Sequence, residues 1–551
     1  MATGTRELYR YGAVAVLACA VACVSLLSPH ACAQSNEVII QVDTARDRHP
    51  ISSLIYGVNF ATEEQLKLLH SPANRNGGNA TTRYNWKQNC TNSGNDWFYM
   101  SHTEPGTAPG ESVDRWIEAN RAAGAKSLVS LPLIGWVARL KADRSPTWSY
   151  SVAKYGKQQK TEPNNADMGN GSAQDGKPVD GNDPTDSNIK VDIAYQKGWL
   201  EHLTQKFGTA KSGGVNWYLL DNEPGIWQGT HRDVFPVGIK MEDLFNRELA
   251  AAKLVKSVDP SALVGGPEEW GWTNYLYSGY DSQWAGVHGW DKPKPDRSAH
   301  GDVDIMPWLL KQFATAEQTE GKRLLDYFTL HFYPQADGVG GDDVSEAVKL
   351  RRNRSTRALW EPAYKDESWI ATEVKLIPRM KEWVAQSYPG TKIGLTEYNW
   401  GAEKSMSGAV AQADILGILG REGVDLATRW VCPATNTPTF KAIQMYRNFD
   451  GKGGSFGSTS IHCSGGNPDE VAAFAAQEGA NGRITIMVIN KKPHDAVTAH
   501  VRLTQGRTIN SSITQYRLNG GAIDRVVPPF HEGPIDVTLP AESVTLLVVG
   551  S

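Results

Sequence analysis

The sequence predicts an α/β protein, a (β/α)8 TIM barrel followed by a C-terminal β-sandwich, on three observations. Between residues 55 and 448 a short apolar strand with a polar tip is followed by an amphipathic helix, and this unit recurs eight times. After about residue 450 the helical period vanishes and short alternating runs replace it, among them RITIMVIN (483–490) and SVTLLVVG (543–550). The third observation is YLLDNEP (218–224), an apolar run that stops on polar residues and a proline, as a strand buried on both faces does.

Taken in order, Arg6 and Arg10 precede the apolar run Gly12–Leu27, and Ser28, Pro29, Ala31, Cys32 and Ala33 follow. That is the pattern of a secretory signal over residues 1–33, and the run falls short of the about 20 residues that a membrane anchor needs. The expected location is secreted or periplasmic, with no membrane association once the signal is removed. Residues 34–50 hold an alternating strand (36–45), a candidate to join the sandwich. The barrel is expected over 51–449, with strands at 55–60, 74–79, 126–133, 216–223, 262–267, 326–334, 393–400 and 426–433. Helices are expected at 62–70, 112–123, 192–207, 241–258, 306–320, 374–387, 408–422 and 437–448. The helix 241–258 is typical, with Leu244, Phe245, Leu249, Ala252, Val255 and Val258 on one stripe. Within the second strand, RNGGN has poor strand propensity.

Two insertions, 145–190 and the aromatic-rich 268–305, each follow a barrel strand and are expected on the catalytic face. Residues 450–551 form the sandwich, for which bracing the barrel is favoured over binding carbohydrate, since no exposed aromatic row stands out. The net charge of −4 and the lack of a Lys/Arg block argue against a nucleic-acid partner. Of six cysteines, Cys90, Cys432 and Cys463 remain after signal removal, allowing at most one disulfide within the chain and showing no metal-ligand spacing.

Pro224 bars Glu223 from helical conformation, so the fourth strand ends with that carboxylate at its tip and Asn222 beside it. A second carboxylate, Glu397 in GLTEYNWG (394–401), belongs to the seventh strand. The fourth and seventh strands face each other across a barrel mouth. Cleaving a glycosidic bond with retention needs two carboxyl groups about 5 Å apart. Their mutual repulsion raises the pKa of one, which stays protonated as the acid. A buried glutamate is often a structural ion-pair member, but two at facing strand tips favour catalysis.

The stretches NRNGGNATTRYNWKQN (74–89), NWYLLDNEP (216–224), DRSAHGDVDIMPWLL (296–310), LHFYP (330–334) and LTEYNWG (395–401) resemble glycoside hydrolase family 44. That family contains endoglucanases and xyloglucanases acting on β-1,4-glucan backbones. The resemblance implies Glu223 as acid/base and Glu397 as nucleophile, with Asn222 bonding the sugar 2-hydroxyl and His331 and Tyr333 orienting the carboxylates. Tyr398, Trp400 and Trp430 complete the candidate substrate-binding set, although Trp400 and Trp430 suit core packing equally well. The family motif reads Arg-Trp-Gly-Gly-Asn, whereas Asn76 follows Arg75 here. Asn79 and Arg83 are expected to hold loop structure.

The oxygen-rich GNDPTDSN (181–188) suits a structural calcium ion, with Asp183 and Asp186 as ligands; a solvated Asx-turn loop explains it equally. No cofactor is expected for catalysis. The expected function is a secreted, retaining, endo-acting hydrolase of β-1,4-glucan backbones, monomeric, with a plant-type polysaccharide as its partner. The alternatives are a xylanase or mannanase of the same mechanism, or a non-catalytic polysaccharide-binding protein.

Overall fold

A computed structural model describes residues 36–479, 482–504, 513–526 and 535–550. The signal segment expected over 1–33 lies outside the described residues. Eight parallel strands close a barrel in chain order: Gly57–Asn59, Ala73–Asn76, Lys126–Leu131, Trp217–Leu220, Leu263–Glu269, Tyr327–Phe332, Lys392–Tyr398 and Leu426–Arg429. The helix after each strand is present, from Glu63–Leu69 to Pro438–Arg447.

Strand alternation fills the barrel. On the sixth strand Tyr327 points inward and packs edge-on against Trp217 at 5.7 Å, within a plug that includes Ala73, Leu128, Leu219 and Leu426. Phe328, Leu330 and Phe332 instead join the layer between strands and helices. The same alternation carries His331 to the inner face near the C-terminal mouth.

Two strands break the alternation on either side of the sixth. Leu330 pairs with Leu395 but His331 pairs with Glu397, so Thr396 is an extra residue, a β-bulge. Its carbonyl, lost to the ladder, accepts from Asn59 Nδ2 at 3.1 Å and from Thr428 Oγ1 at 2.6 Å. On the fifth strand Pro267 pairs with Thr329 and Glu269 with Leu330, leaving Glu268 as the bulged residue at φ 59°.

The second strand ends in Gly77 and Gly78, and both are required by space. A Cβ on Gly77 would lie 2.2 Å from the Arg75 guanidinium carbon, and one on Gly78 would lie 2.4 Å from the Trp430 ring. The glycines that weaken RNGGN as a strand therefore let Arg75 fold back into the mouth and Trp430 lie across the turn.

Connections beyond the two expected insertions enlarge the catalytic face. Residues 77–110 follow the second strand and contribute Cys90–Asn92 and Met100–Thr103 to a three-stranded sheet with Thr147–Trp148. Residues 333–375 follow the sixth strand and carry the helix Glu346–Ser355. Among the described residues, Cys90, Cys432 and Cys463 form no disulfide with one another.

Among the described residues, eight C-terminal strands join the N-terminal Glu37–Asp43 and His49–Pro50 in one ten-stranded sheet, curled so that Ile40, Val42, Val488, Val501, Val537 and Leu539 share a core. Glu37–Asp43 lies inside it, parallel to Val497–Thr504 and antiparallel to Thr459–Ser464. Met487, Ile489 and Leu546 on its other face join the barrel core, where the helix Met406–Arg421 is buried on nearly all sides. Gly417 on that helix meets the Phe474 ring, and Lys491 bonds buried Asp414 at 2.6 Å. The described barrel and sheet form one compact unit. Among the described residues, no helix is long and apolar enough to cross a membrane.

Candidate active site

The two bulges and the left-handed turn at the end of the fourth strand aim three carboxylates at one histidine. Glu223 has φ 48° and donates its backbone N–H to the Glu268 carbonyl at 3.0 Å, which locks its side chain over the mouth. His331 Nδ1 lies 3.0 Å from Glu223 Oε1 and 3.5 Å from Glu397 Oε2. Its Nε2 lies 3.3 Å from Glu268 Oε2. Oxygens of Glu223 and Glu397 and a ring nitrogen of His331 all fall within 4.8 Å of one another.

Arg75 closes the cluster from the second strand and is fully buried. Its Nη1 donates to Glu397 Oε1 at 2.7 Å and Asn59 Oδ1 at 3.1 Å, and its Nη2 donates to Asn222 Oδ1 at 3.0 Å and pairs with Glu268 Oε2 at 2.9 Å. Tyr333 donates its hydroxyl to Glu397 Oε2 at 2.7 Å, so both Glu397 oxygens are held. Asn222 Oδ1 also accepts from the Gly78 N–H at 3.0 Å, while its Nδ2 reaches Asn79 Oδ1 at 3.3 Å.

These contacts divide the charges. Burial, opposed by the His331 bond but reinforced by the charge on Glu397, pushes the Glu223 carboxyl above its usual range. Burial also opposes the charge on His331, yet Glu397 and the bonds to Glu223 and Glu268 win and push it up to about 9. Burial would raise Glu268, but Arg75 and His331 hold it below the usual carboxylate range.

The structure thus brings Glu223, Glu397, Asn222, His331 and Tyr333 into one cluster, and adds three residues that the sequence did not single out as site members: Arg75, Glu268 and Asn59. A signal existed for two of them: Arg75 is a charge in the middle of a strand, and Glu268 opens an acidic pair straight after an apolar strand. Trp430 is half-buried, edge-on to exposed Phe60 at 5.6 Å, and forms an aromatic wall beside Gly78 at the mouth.

Two expected substrate contacts are corrected. Tyr398 is buried behind the strand, where its hydroxyl accepts from Gln412 at 3.1 Å, because the bulge at Thr396 turns Glu397 inward and the next residue outward. Trp400 is also buried, donating to Ser355 Oγ at 2.9 Å and packing on Phe332. Neither side chain can reach a sugar in the mouth.

Asp183 and Asp186 do not fit a calcium site. Asp186 is paired with Lys154 at 2.6 Å and accepts the Tyr155 hydroxyl at 2.5 Å, so a cation already satisfies it. Asp183 caps its own turn, accepting from the Thr185 N–H at 2.9 Å and its hydroxyl at 2.7 Å. Asn79 bonds Asp96 at 3.0 Å and Arg83 bonds Asp233 at 2.6 Å, both in the loops around the mouth.

A (β/α)8 barrel with two carboxyl groups closing on one point above its axis is the architecture of a glycoside hydrolase. Residues 90–336 match the model of glycoside hydrolase family 44, and 48% sequence identity with a TM-score of 0.91 links the chain to CelM2, a bifunctional glucanase-xylanase from a metagenome library, over 94% of this chain and 99% of that one. The chain belongs to glycoside hydrolase family 44 and is an enzyme of its endoglucanase/xyloglucanase type. A Paenibacillus polymyxa xyloglucanase solved with xyloglucan is 29% identical, with a TM-score of 0.76 over 94% of this chain and 100% of that one. The beta-mannanase/endoglucanase A of Caldicellulosiruptor saccharolyticus is 31% identical over 510 residues, 85% of this chain. The match spans 35% of that relative's length.

Proposed function

We propose that this enzyme is secreted and cleaves β-1,4-glucan backbones, of cellulose type or in xyloglucan, in an endo fashion and with retention of configuration. The observation that carries the mechanism is the approach of Glu223 and Glu397 oxygens to within 4.8 Å, which leaves no room for a water between carboxylate and sugar. Glu223, raised by burial, gives its proton to the glycosidic oxygen as Glu397, ionised and held by Arg75 and Tyr333, attacks the anomeric carbon. The leaving sugar departs and a glycosyl ester on Glu397 remains. Glu223, now a carboxylate, takes a proton from a water that attacks the same carbon and frees Glu397. Asn222 Nδ2 is placed to bond the 2-hydroxyl, and Trp430 with Phe60 offers an aromatic face to a pyranose ring.

Support for the substrate class comes from the relatives, whose names include endoglucanase, xyloglucanase, xylanase and mannanase activities. A xylan or mannan backbone is therefore the second reading, with the same chemistry. Export rests on the charged and apolar N-terminal run.

The test is reducing-sugar release from carboxymethyl cellulose, xyloglucan, xylan and mannan by the wild type, Glu223→Gln and Glu397→Gln. We expect glucan cleavage that falls by several orders of magnitude in both variants, and a first-formed product with the β anomer by proton NMR. A first-formed α anomer would refute retention. Near-wild-type activity in either variant would refute the carboxylate assignment, and cleavage of xylan or mannan alone would move the substrate to the second reading.

A further inference from the structure

The fifth strand supplies a third carboxylate, Glu268, which the double displacement described above does not use. It is fully buried, and its Oε2 touches both cations of the cluster, Arg75 at 2.9 Å and His331 Nε2 at 3.3 Å. A β-bulge with φ 59° places it there, a conformation that costs energy in a residue with a side chain. This contact adds to the charge on Glu397 and the bond to Glu223 in favouring protonated His331, and among the described residues it is the one carboxylate contact made at Nε2. The charged and titratable groups around the imidazole are Glu223 after the fourth strand, Glu268 and, further off, Glu269 from the fifth, Glu397 from the seventh and Arg75 from the second. Arg75 lies 3.3 Å from Nε2, so with no carboxylate beside it that nitrogen would serve as an acceptor for the guanidinium and carry no proton.

We propose that Glu268 is a positioning residue: its carboxylate keeps a proton on Nε2, so that His331 remains an imidazolium whose Nδ1–H bridges Glu223 and Glu397. The proposal rests on the assignment of Glu223 and Glu397 as the reacting pair. The charge count explains what the device achieves. Before attack, Glu223 is neutral while Glu397 and Glu268 are negative and Arg75 and His331 positive, a balance of zero. In the glycosyl-enzyme, Glu397 is an uncharged ester and Glu223 has lost its proton, and the balance is again zero. One negative charge passes from one carboxylate to the other beneath a fixed cation, and no counter-charge needs to enter or leave the buried site. With Glu268 neutral the cluster would carry an excess positive charge in both states, which His331 would relieve by losing its proton.

The direct measurement is ¹⁵N NMR of the full chain labelled at histidine, with the His331 signals assigned by their absence in His331→Gln. In the wild type at pH 7 both ring nitrogens should show imidazolium shifts, with titration near 9. A neutral His331 at pH 7, unprotonated at Nε2, overturns the proposal without need of any variant. In Glu268→Gln, which keeps the shape, the His331 pKa should fall by about three units, to about 6, so that most of the imidazolium is lost at pH 7. Activity of that variant should drop about tenfold at pH 7 and recover toward pH 5 as the imidazolium is restored. A parallel loss at all pH values, or an imidazolium retained in the variant, would leave Glu268 a merely structural residue. The histidine measurement needs no substrate, so it stands or falls separately from the activities of Glu223→Gln and Glu397→Gln.

Discussion

Two sets of buried carboxyl groups come from neighbouring positions, one in contact with cations and one without, and the adjacent Glu268 and Glu269 show what the contact changes. Glu223, Glu268 and Glu397 meet Arg75 and His331, and Glu268 is held below its usual range by those cations. Asp221, Glu248 and Glu269 are equally buried and pair with no cation among the described residues. Burial raises Asp221 to about 7 and Glu269 to about 8, and drives Glu248 well above its usual value, with neither oxygen hydrogen-bonded. Glu268 and Glu269 are adjacent in the chain, yet one bulged residue turns the first to Arg75 and leaves the second with the Gly225 N–H at 3.2 Å. Burial alone makes a neutral acid, as it does for Glu269, and contact with both Arg75 and His331 keeps Glu268 charged, whereas Glu223, which meets His331 only, stays raised.

The strongest way to break this contrast is to remove the cation. Arg75→Met leaves Glu397 and Glu268 as uncompensated buried charges, and breaking a buried pair from one side costs about 3–5 kcal/mol. We expect a large loss of thermal stability together with loss of activity. A variant that melted near wild type would mean that the cluster reorganises or takes up protons at little cost, and the two sets would then not differ in kind.

The converse change acts on the unpaired set and has a smaller, opposite effect. The folded-state pKa of Glu269 is raised to about 8, above its value in the unfolded chain. The contribution of Glu269 to stability is therefore greatest below the unfolded pKa and declines as pH rises toward 8, because over that range only the unfolded chain ionises this group. Glu269→Gln keeps an acceptor for Gly225 and removes the decline, so its stability advantage should widen between pH 5 and pH 8, on the order of 1–3 kcal/mol at the upper end. Denaturant melts at the two pH values measure it. An advantage that stayed constant with pH would show that Glu269 is ionised in the fold.

The same contrast marks what the sequence could reveal. Eight strands and eight helices repeat with regular periods, and their places follow from that pattern, as does the proximity of Glu223 and Glu397, which strand order alone dictates. The bulges at Glu268 and Thr396 leave no periodic trace, because each is a two-against-one pairing decided by the neighbouring strand. The family resemblance therefore put Tyr398 beside the sugar, and the periodic pattern passed over Glu268. Arg75 stands in view in RNGGN, but its partners come from five other strands. The contact that satisfies Asp186 comes from Lys154, a residue 32 positions away, so oxygen-rich composition suggested a metal where a lysine ammonium lies.

The smallest effects separate two tyrosines that look alike in the sequence, each one residue away from an inward turn or a bulge. Tyr333 donates to Glu397 at 2.7 Å, and Tyr333→Phe should lower kcat about tenfold by freeing the nucleophile, with stability little changed. Tyr398 faces the helix Met406–Arg421, and Tyr398→Phe deprives the Gln412 amide of an acceptor at a cost of about 1 kcal/mol. Because its hydroxyl lies behind the strand, kcat and KM on a soluble glucan should stay within about twofold of wild type. A raised KM in Tyr398→Phe would place that hydroxyl in the cleft and would mean that the Thr396 bulge is absent in solution. Equal kinetics with a lowered melting temperature would confirm that one extra residue in the seventh strand sorts the catalytic face from the core.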